Sequence, residues 1–205
     1  MSRIGILALQ GAFIEHRPIL SRLGVEAPEI RLVEQLRSLD GLIIPGGEST
    51  TIGKLAVTYH LRQEIARLAG EGLPIWGICA GAILLAKELS ENSEQPLLGL
   101  MDIRIRRNAF GRQVESFEED IVVPCLDLVS KPEEKGKPFR AVFIRAPYIE
   151  EVGESVQILA RLEDKGSIVA AQERNLLALA FHPELTQDTR FHRYFLHMVE
   201  NARFR

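Results

Sequence analysis

Short apolar runs of strand length alternate with longer amphipathic stretches through residue 89 of the chain. In order they are Ile4 to Leu9, Phe13 to Leu23, Ile30 to Val33, Gly41 to Ile44, Thr51 to Ala69, Pro74 to Cys79 and Ala80 to Leu89. This alternation predicts βαβ units on a mostly parallel sheet. The runs Ile4 to Leu9 and Leu42 to Ile44 are apolar at successive positions, as in strands covered on both faces. We therefore predict an α/β fold in three layers, with helices on both sides of the sheet.

Beyond Gly99 the pattern changes to strand-like stretches with few helical intervals. They are Met101 to Arg106, Ile121 to Val123, Phe139 to Arg145, Val156 to Ala160, Ile168 to Gln172 and Leu176 to Phe181. These stretches predict antiparallel or mixed sheet, closed by a helix from about Gln187 to Ala202. The segment 130–138, SKPEEKGKP, combines charge, Gly and Pro and predicts an exposed loop. The strands on either side still need partners, so we expect one domain over 1–205.

The amino-acid composition of the chain is typical of an ordinary globular protein. It has 205 residues, of which 46% are hydrophobic and 26% charged. A chain of this size buries enough surface to fold without a metal or disulfide, and no group of residues has metal-ligand spacing. The longest uncharged apolar stretch, Ile75 to Ala86, is well short of the roughly 20 residues that cross a bilayer. We therefore expect no membrane-spanning segment.

Charge and cysteine content narrow the partners and the compartment. The 25 Lys and Arg residues are scattered along the sequence and are outnumbered by 28 Asp and Glu residues. Nucleic acid and anionic membranes are therefore poor default partners. The two cysteines are too few for a disulfide framework. The first apolar run is broken at Gln10 and Glu15, which favours a strand over a signal peptide. A cytoplasmic protein is expected.

The motif with the clearest chemistry is PIWGICAGAILLA, in which a buried strand runs through Gly77, Cys79 and Gly81 into a helix. Glycines two residues either side of the cysteine permit the sharp turn of a nucleophile elbow. A helix N-terminus and a nearby imidazolium would stabilise the reactive thiolate. The alternative is a buried apolar cysteine in a small-residue contact, but the two glycines favour the elbow. Cys125 follows Pro124 without such glycines, so we interpret it as structural.

A nucleophilic thiol needs a base, and His182 stands at the end of a strand-like run in LLALAFHPEL. Pro183 disfavours helical geometry at His182, so His182 and Glu184 should be extended and point to the same side. A carboxylate beside the imidazole would fix its tautomer, as in a catalytic triad. Alone, the pattern could equally be a helix-start turn. We interpret the other four histidines, His16, His60, His192 and His197, as packing or surface residues.

A third motif, LIIPGGEST at 42–50, places two glycines between a strand and a helix. Gly46 and Gly47 suit close approach of the backbone to a substrate or oxyanion. A tight strand-to-helix turn explains them equally well. The residues alone leave these two interpretations open.

Taken in order, these motifs resemble the class I glutamine amidotransferases, and within that class the glutaminase subunits of pyridoxal 5′-phosphate synthases. The resemblance rests on LALQGAFIEH at 7–16, PGGEST at 45–50, GICAGA at 77–82, RRNAFGRQ at 106–113, FIRAP at 143–147 and FHPEL at 181–185. Many members of the wider class have Gln four residues after the nucleophile, where this chain has Ile83. That difference favours the pyridoxal branch. The resemblance implies the class I amidotransferase fold, with a mixed, mostly parallel central sheet.

The resemblance also implies roles for particular residues. Cys79 would attack the side-chain amide of L-glutamine, and His182, oriented by Glu184, would transfer protons. The glutamine-holding set would be Gly46, Gly47, Glu48, Arg107, Ile144 and Arg145. Gln10, Gly11 and Ala80 would form the oxyanion region. A synthase subunit would be the partner that receives the ammonia, and no cofactor is implied for this chain.

Two other classes of function fit parts of the pattern. A cysteine peptidase of similar fold would keep Cys79 and His182 without the glutamine-holding residues. A catalytically silent binding subunit would keep the fold without the thiolate chemistry. Without the surrounding motifs, Arg107 and Arg145 would be interpreted as exposed charged residues on strands. What the 130–138 loop does is left open by the sequence.

Overall fold

The structure is a computed structural model that describes residues 2–107, 116–163 and 166–203. The strands are β1 Ile4–Leu7, β2 Glu29–Ile30, β3 Gly41–Ile44, β4 Ile75–Ile78, β5 Ala86–Leu89, β6 Met101–Arg106, β7 Ser116–Ile121, β8 Phe139–Ile144, β9 Tyr148–Val152, β10 Gln157–Arg161, β11 Ile168–Glu173 and β12 Leu176–Leu179. The helices are α1 His16–Arg22, α2 Ser49–Thr58, α3 Leu61–Gly70, α4 Ala80–Leu85 and α5 Arg190–Arg203. Single 3₁₀ turns cover Val33–Leu36, Pro124–Leu128 and Pro183–Leu185.

One mixed sheet forms the centre of the described chain, with strands in the order β2-β1-β3-β4-β12-β11-β9-β6-β5 and β10 beside β11. The first five of these strands are mutually parallel. β12, β11, β9 and β6 then follow as antiparallel neighbours, and β5 is parallel to β6. β7 and β8 pair with each other as a separate antiparallel hairpin. The carboxyl ends of β1, β3, β4 and β12 therefore meet along one edge of the sheet, which is where a ligand site is expected in an open α/β sheet.

Successive residues of the central strands enter two different hydrophobic cores, one on each face of the sheet. On one face, Trp76 and Ile78 of β4 pack with α1, α5 and the β7–β8 hairpin. On the other face, Ile75 of β4 packs with α2, α3 and α4. This division explains why the central strands are apolar at every position. It confirms the predicted three-layer α/β fold with helices on both faces.

Two predicted elements are each divided in the structure. The stretch Thr51 to Ala69 is not one helix, because α2 ends at Thr58 and α3 begins at Leu61. His60 between them has a left-handed backbone, with φ of 57°. The stretch Ala80 to Leu89 contains α4 and then β5, which pairs with β6. Neither division is marked by Gly or Pro, the residues that usually punctuate elements.

Several predicted boundaries also shift. The predicted helix from Phe13 begins at His16, and the predicted strand Ile30 to Val33 is reduced to Glu29–Ile30. The predicted strand at Ile121 to Val123 is instead the end of β7, which stops at Ile121. The closing helix begins at Arg190 instead of about Gln187. The predicted exposed loop at 130–138 holds no helix or strand.

That loop is nevertheless anchored to α5. The Arg190 guanidinium donates hydrogen bonds to the backbone carbonyls of Lys137 (2.8 Å) and Pro138 (2.7 Å). The Arg193 guanidinium donates to the carbonyl of Val129 (2.7 Å) and to the Glu134 carboxylate (2.6 Å). The loop therefore fixes the entry of β8 against the last helix. Among the described residues, no helix has the length and apolar character needed to cross a membrane.

Candidate functional site

Cys79 lies in the sharp turn between β4 and α4. Its backbone has φ of 48° and ψ of −100°, an uncommon conformation for a residue with a side chain. A β-carbon on Gly77 would lie 2.5 Å from the Gly81 carbonyl oxygen, and one on Gly81 would overlap the Ile44 carbonyl oxygen. The two glycines are therefore needed for β4, α4 and β3 to approach so closely. The turn has the geometry of a nucleophile elbow.

His182 and Glu184 follow β12 and lie beside this turn. The Nδ1 atom of His182 is 2.7 Å from Oε1 of Glu184, and the Glu184 side chain is fully buried. The prediction that the two residues are extended is wrong. Pro183 instead begins a single 3₁₀ turn, Pro183–Leu185, which folds the carboxylate back onto the imidazole. The backbone N–H of His182 donates to the Val142 carbonyl (2.8 Å) and fixes this segment against β8.

The charge state of His182 is set by competing effects. Burial disfavours its protonated form, but hydrogen bonds with Cys79 and Glu184 outweigh the burial and raise the pKa of His182 to about 10. The side chain of His182 thus lies between those of Cys79 and Glu184, and its measured hydrogen bond is the one to Glu184 (2.7 Å). Cys, His and Glu in this order form an arrangement that can hold a thiolate beside an imidazolium.

The loops after β1 and β3 mesh beside His182. Gly11 has a φ of 102°, and a β-carbon there would overlap the Gly46 carbonyl oxygen. The Ala12 N–H donates to that same oxygen (2.9 Å). A β-carbon on Gly46 would lie 3.0 Å from Nδ1 of His182. Gly46 is therefore required by a close approach of the imidazole as well as by the turn.

Gln10 and Glu48 tie the two loops together. The Glu48 backbone N–H donates to Oε1 of Gln10 (2.7 Å). The Glu48 carboxylate accepts hydrogen bonds from the backbone N–H groups of Thr50 (3.1 Å) and Thr51 (2.7 Å), so it caps α2. Burial opposes ionisation of this carboxyl, but the hydrogen bonds from Thr51 and Thr50 lower the pKa of Glu48. The side chain of Glu48 thus supports the helix, and its backbone faces the site.

An open cavity of about 470 Å³ lies over these residues, within the size range of small-ligand sites. Of the residues named from the sequence, those lining the cavity are Gln10, Gly46, Gly47, Glu48, Cys79, Arg107, Ile144, Arg145 and His182. Glu184 lies behind His182, Gly11 lies behind Gln10, and Ala80 is buried at the start of α4. The structure therefore brings the whole predicted set to one place.

Arg107 enters the cavity from the far side of the site. Its guanidinium forms an ion pair with Glu91 (2.5 Å) and donates to Oε1 of Gln95 (2.7 Å). Gln95 is buried, and its Oε1 also accepts hydrogen bonds from the hydroxyls of Ser49 (3.1 Å) and Thr50 (3.2 Å). Arg107 is thus held by side chains on two sides instead of being an isolated surface charge.

The end of β8 completes the wall. Ile144 is 38% exposed, and Arg145 directly after it has a φ of 42°. This left-handed backbone turns the chain between β8 and β9. The remainder of the motif that begins at Arg106, at positions 108–113, lies outside the described residues.

Sequence reasoning missed several residues around the site. Ser49, Thr50 and Ile83 line the cavity, and Gln95 holds Arg107. Ser49 and Thr50 belong to the PGGEST motif, which was the signal available for them. Gln95 has no such signal, because its role depends on a loop crossing to α2. Within the described ranges, no group of three or more His, Cys, Asp or Glu residues could hold a metal ion.

The second cysteine lies elsewhere. Cys125 is in the 3₁₀ turn Pro124–Leu128, half-buried against the α5 side of the sheet. Burial raises the pKa of the Cys125 thiol, and the hydrogen bond with Tyr194 only partly offsets this effect. Its surroundings are those of a packed, unreactive thiol.

Comparison with known proteins agrees with this site. Residues 6–201 match the SNO glutamine amidotransferase family. The chain is 60% identical to the pyridoxal 5′-phosphate synthase subunit PdxT of Herpetosiphon aurantiacus, an alignment that covers 94% of this chain and 98% of that protein. It is 56% identical to the protein of the same name from Carboxydothermus hydrogenoformans, covering 96% of this chain and 97% of that one.

A solved structure supports the same relationship. The chain superposes on a structure described as a crystal structure of glutamine amidotransferase, with a TM-score of 0.86 and 51% identity. The superposition covers 96% of this chain and 98% of that one. The resemblance drawn from the motifs is therefore confirmed. The chain belongs to the SNO glutamine amidotransferase family.

Proposed function

We propose that this chain is a glutaminase that hydrolyses L-glutamine to L-glutamate and ammonia. The observation that carries the proposal is the position of His182 between Cys79, which lines the same cavity, and Glu184, to which it is hydrogen-bonded. Membership of a glutamine amidotransferase family supports glutamine as the substrate.

The reaction proceeds through a thioester. The Cys79 sulfur attacks the δ-carbon of the glutamine side chain, and the carbonyl oxygen becomes an oxyanion. The imidazolium of His182 gives its proton to the amide nitrogen, the carbon–nitrogen bond breaks, and ammonia leaves. His182 then takes a proton from water, which attacks the thioester and releases glutamate. Glu184 keeps the imidazole in the correct orientation and stabilises its protonated form.

The loops around Cys79 position the glutamine. The backbone at Gly46, Gly47 and Glu48 borders the substrate, and the amides of Ala80 and of the Gln10–Gly11 loop lie in the oxyanion region. Arg107 binds the α-carboxylate of glutamine, since a planar guanidinium matches a carboxylate. Ile144 and Arg145 close the opposite wall. The close packing of Gly11 on Gly46 supports this arrangement, because it leaves backbone facing the cavity.

The ammonia is passed to a synthase subunit that makes pyridoxal 5′-phosphate. The names of the two relatives, each a pyridoxal 5′-phosphate synthase subunit, support this partner. Water and bulk solvent would otherwise take up the ammonia, so the partner docks at the mouth of the site. Both cysteines are free thiols, which supports a location in the reducing cytoplasm.

The first experiment measures release of glutamate and ammonia from glutamine by the chain with its synthase partner, beside release of amines from a panel of peptides. We expect glutamine to be hydrolysed and the peptides to be untouched. Cys79→Ala should abolish the activity, and the matched control Cys125→Ala should keep it. Peptide cleavage without glutaminase activity would instead indicate a peptidase. Full activity in Cys79→Ala would reject the nucleophile.

A second experiment compares the chain alone with the chain in excess synthase. We expect a poor glutaminase in isolation and a large increase on adding the partner. Gly11 has no side chain to oppose reorientation of the Gln10–Gly11 peptide, and docking of the partner has to shift its contacts with Gly46 and Glu48. A single misdirected oxyanion donor costs about 10²- to 10³-fold in rate. Equal rates with and without synthase would contradict control by the partner and leave the triad unaffected.

A further inference from the structure

A pair of buried histidines lies directly behind the carboxylate of Glu184. His16 opens α1 and His192 belongs to α5, and both are fully buried. Nδ1 of His16 is 3.0 Å from Nε2 of His192. On its other side, Nε2 of His16 is 3.9 Å from Oε2 of Glu184. A continuous row of side chains thus runs from Cys79 through His182, Glu184 and His16 to His192.

Two atoms that face each other in this row have no hydrogen-bond partner in the described part of the chain. They are Oε2 of Glu184 and Nε2 of His16, and both are buried. Leaving a buried polar atom unpaired is unfavourable, which favours closing the 3.9 Å between these two atoms to a hydrogen bond. Trp76 limits the space available, because its ring meets the edges of His16 (centroids 5.9 Å apart) and His192 (5.0 Å).

Both rings are electrically neutral at ordinary pH. Burial is the main cause that lowers the pKa of His16 to about 3, although the Glu184 carboxylate opposes it and His192 and His182 add to it. Burial is also the main cause that lowers the pKa of His192 to about 3, and the charge of Arg22 adds a smaller effect. A neutral imidazole has one N–H donor and one acceptor. The pair therefore shares a single hydrogen bond in one of two directions.

The Glu184 carboxylate selects one direction. If Nδ1 of His16 carried the proton, the lone pair on Nε2 would face the negative oxygen. If His192 donates through Nε2, His16 accepts at Nδ1 and turns an Nε2–H toward Glu184. Only the second arrangement gives the carboxylate a donor. The acceptor Nδ1 of His192 then has no hydrogen-bond partner among the residues that the structure describes.

We propose that His16 is a positioning residue of the glutaminase, which holds the Glu184 carboxylate through its Nε2–H in a tautomer fixed by His192. The inference rests on the proposed function and extends it. With Oε2 held by His16, Oε1 stays aligned with Nδ1 of His182. The imidazolium that faces Cys79 is thereby stabilised from a distance by a group that touches neither substrate nor thiol.

The test uses a matched pair of variants, His16→Gln and His16→Met, assayed with glutamine in the presence of the synthase. The two new side chains have similar length, but only Gln can donate to Glu184. We expect His16→Met to lower kcat about tenfold or more, the scale of one hydrogen bond to a charged group. KM for glutamine should stay within about twofold, because His16 does not reach the cavity, and His16→Gln should recover most of kcat. His197→Met, on the outer side of α5, is the control and should match the unsubstituted chain.

A second readout separates positioning from general damage. In a Cys125→Ala background, the rate of iodoacetamide alkylation of Cys79 is measured against pH. Weaker support for the His182 imidazolium should move the rise in alkylation to higher pH in His16→Met but not in His16→Gln. Equal kcat and equal pH profiles in the two variants would overturn the inference. Absence of glutaminase activity in the unsubstituted complex would reject the proposed function instead.

The tautomer can also be measured without any substitution. Nitrogen-15 NMR of the histidine side chains distinguishes Nε2–H from Nδ1–H imidazoles. We expect His16 and His192 both to be neutral Nε2–H tautomers at pH 7. An Nδ1–H tautomer at His16 would overturn the inference even if His16→Met failed to fold.

Discussion

Gly81 packs against Ile44 so closely that a β-carbon on Gly81 would overlap the Ile44 carbonyl oxygen. Ile44 ends β3, and Gly81 lies in the first turn of α4. The contact therefore holds the Cys79 turn directly beside the loop that follows β3. The second glycine of the GxCxG motif acts as a spacer between two backbones, in addition to permitting the turn.

Replacing this spacer should disturb fold and activity together. Gly81→Ala places a methyl group against backbone, which has to move, so we expect a loss of about 1–3 kcal/mol in the free energy of unfolding. The matched control is Gly70→Ala at the end of α3, where a β-carbon meets nothing within 4 Å. Alanine there should be neutral or stabilising by up to about 1 kcal/mol. Urea unfolding of the two variants checks both expectations. Equal stabilities of the two variants would contradict the role of Gly81 as a spacer between the two backbones.

The roles proposed for His182 and Glu184 predict unequal losses. His182→Asn removes the group that moves the proton, so turnover should fall almost as far as in Cys79→Ala. Glu184→Gln keeps the shape but removes the charge, so turnover should fall less. Steady-state kinetics with the synthase present measures both.

Members of one catalytic unit do not contribute additively. The double variant Cys79→Ala with His182→Asn should therefore be no worse than the worse single variant. A multiplicative loss in the double variant would argue that the two side chains act independently. Circular dichroism spectra of each variant control for unfolding.

The environment of Arg107 predicts an effect on substrate binding. Arg107→Lys loses the planar fork held by Glu91 and Gln95, so we expect KM for glutamine to rise about tenfold with a smaller change in kcat. Arg106→Lys is the matched control. The Arg106 side chain is half exposed and pairs with Glu150 away from the cavity. Similar KM values in the two variants would show that Arg107 does not bind the substrate.

The buried histidine pair predicts loss of stability in acid. His16 and His192 have pKa values lowered to about 3 in the folded chain, from 6.5. The unfolded chain therefore binds more protons between these values, and the free energy of unfolding falls as pH drops from about 6.5 toward 3. Each histidine contributes up to about 1.4 kcal/mol per pH unit in this window. The raised pKa of His182 has the opposite sign and acts above neutral pH.

Urea unfolding at several pH values between 4 and 7 tests this prediction. The double variant His16→Met with His192→Leu should show a shallower loss of stability on acidification than the unsubstituted chain. Carboxylates away from the histidine pair contribute the same amount to both proteins and cancel in the comparison. Parallel curves would mean that the pair is already protonated or solvated in the folded chain.

The sequence was sufficient to predict the parts of the site that depend on short-range geometry. Gly77 and Gly81 flank Cys79 at a spacing that only a sharp turn uses, and the structure has that turn. The central strands were equally predictable, since burial on both faces makes every position apolar. The family resemblance then named distant residues, such as Arg107 and Ile144, that no local pattern could join.

What the sequence did not predict depends on tertiary contacts. The break between α2 and α3 at His60 has no glycine or proline to mark it. The segment that folds Glu184 onto His182 was predicted to be extended but is a 3₁₀ turn. Proline alone does not distinguish a strand end from such a turn. His16 and His192 were interpreted as packing or surface residues. Their shared hydrogen bond joins positions 176 residues apart, which no periodicity reports.

That separation in sequence also has a consequence for folding during synthesis on the ribosome. His16 leaves the ribosome 176 residues before its partner His192, which belongs to the last helix of the described chain. Arg190 and Arg193 of the same helix secure the loop that leads into β8. A nascent chain can assemble the parallel strands first, but the proposed support of the Glu184 carboxylate by His16 and His192 is missing until α5 has been made. Ribosome-bound chains that stop before α5 should therefore hold the cysteine turn while hydrolysing glutamine more slowly than chains that include α5.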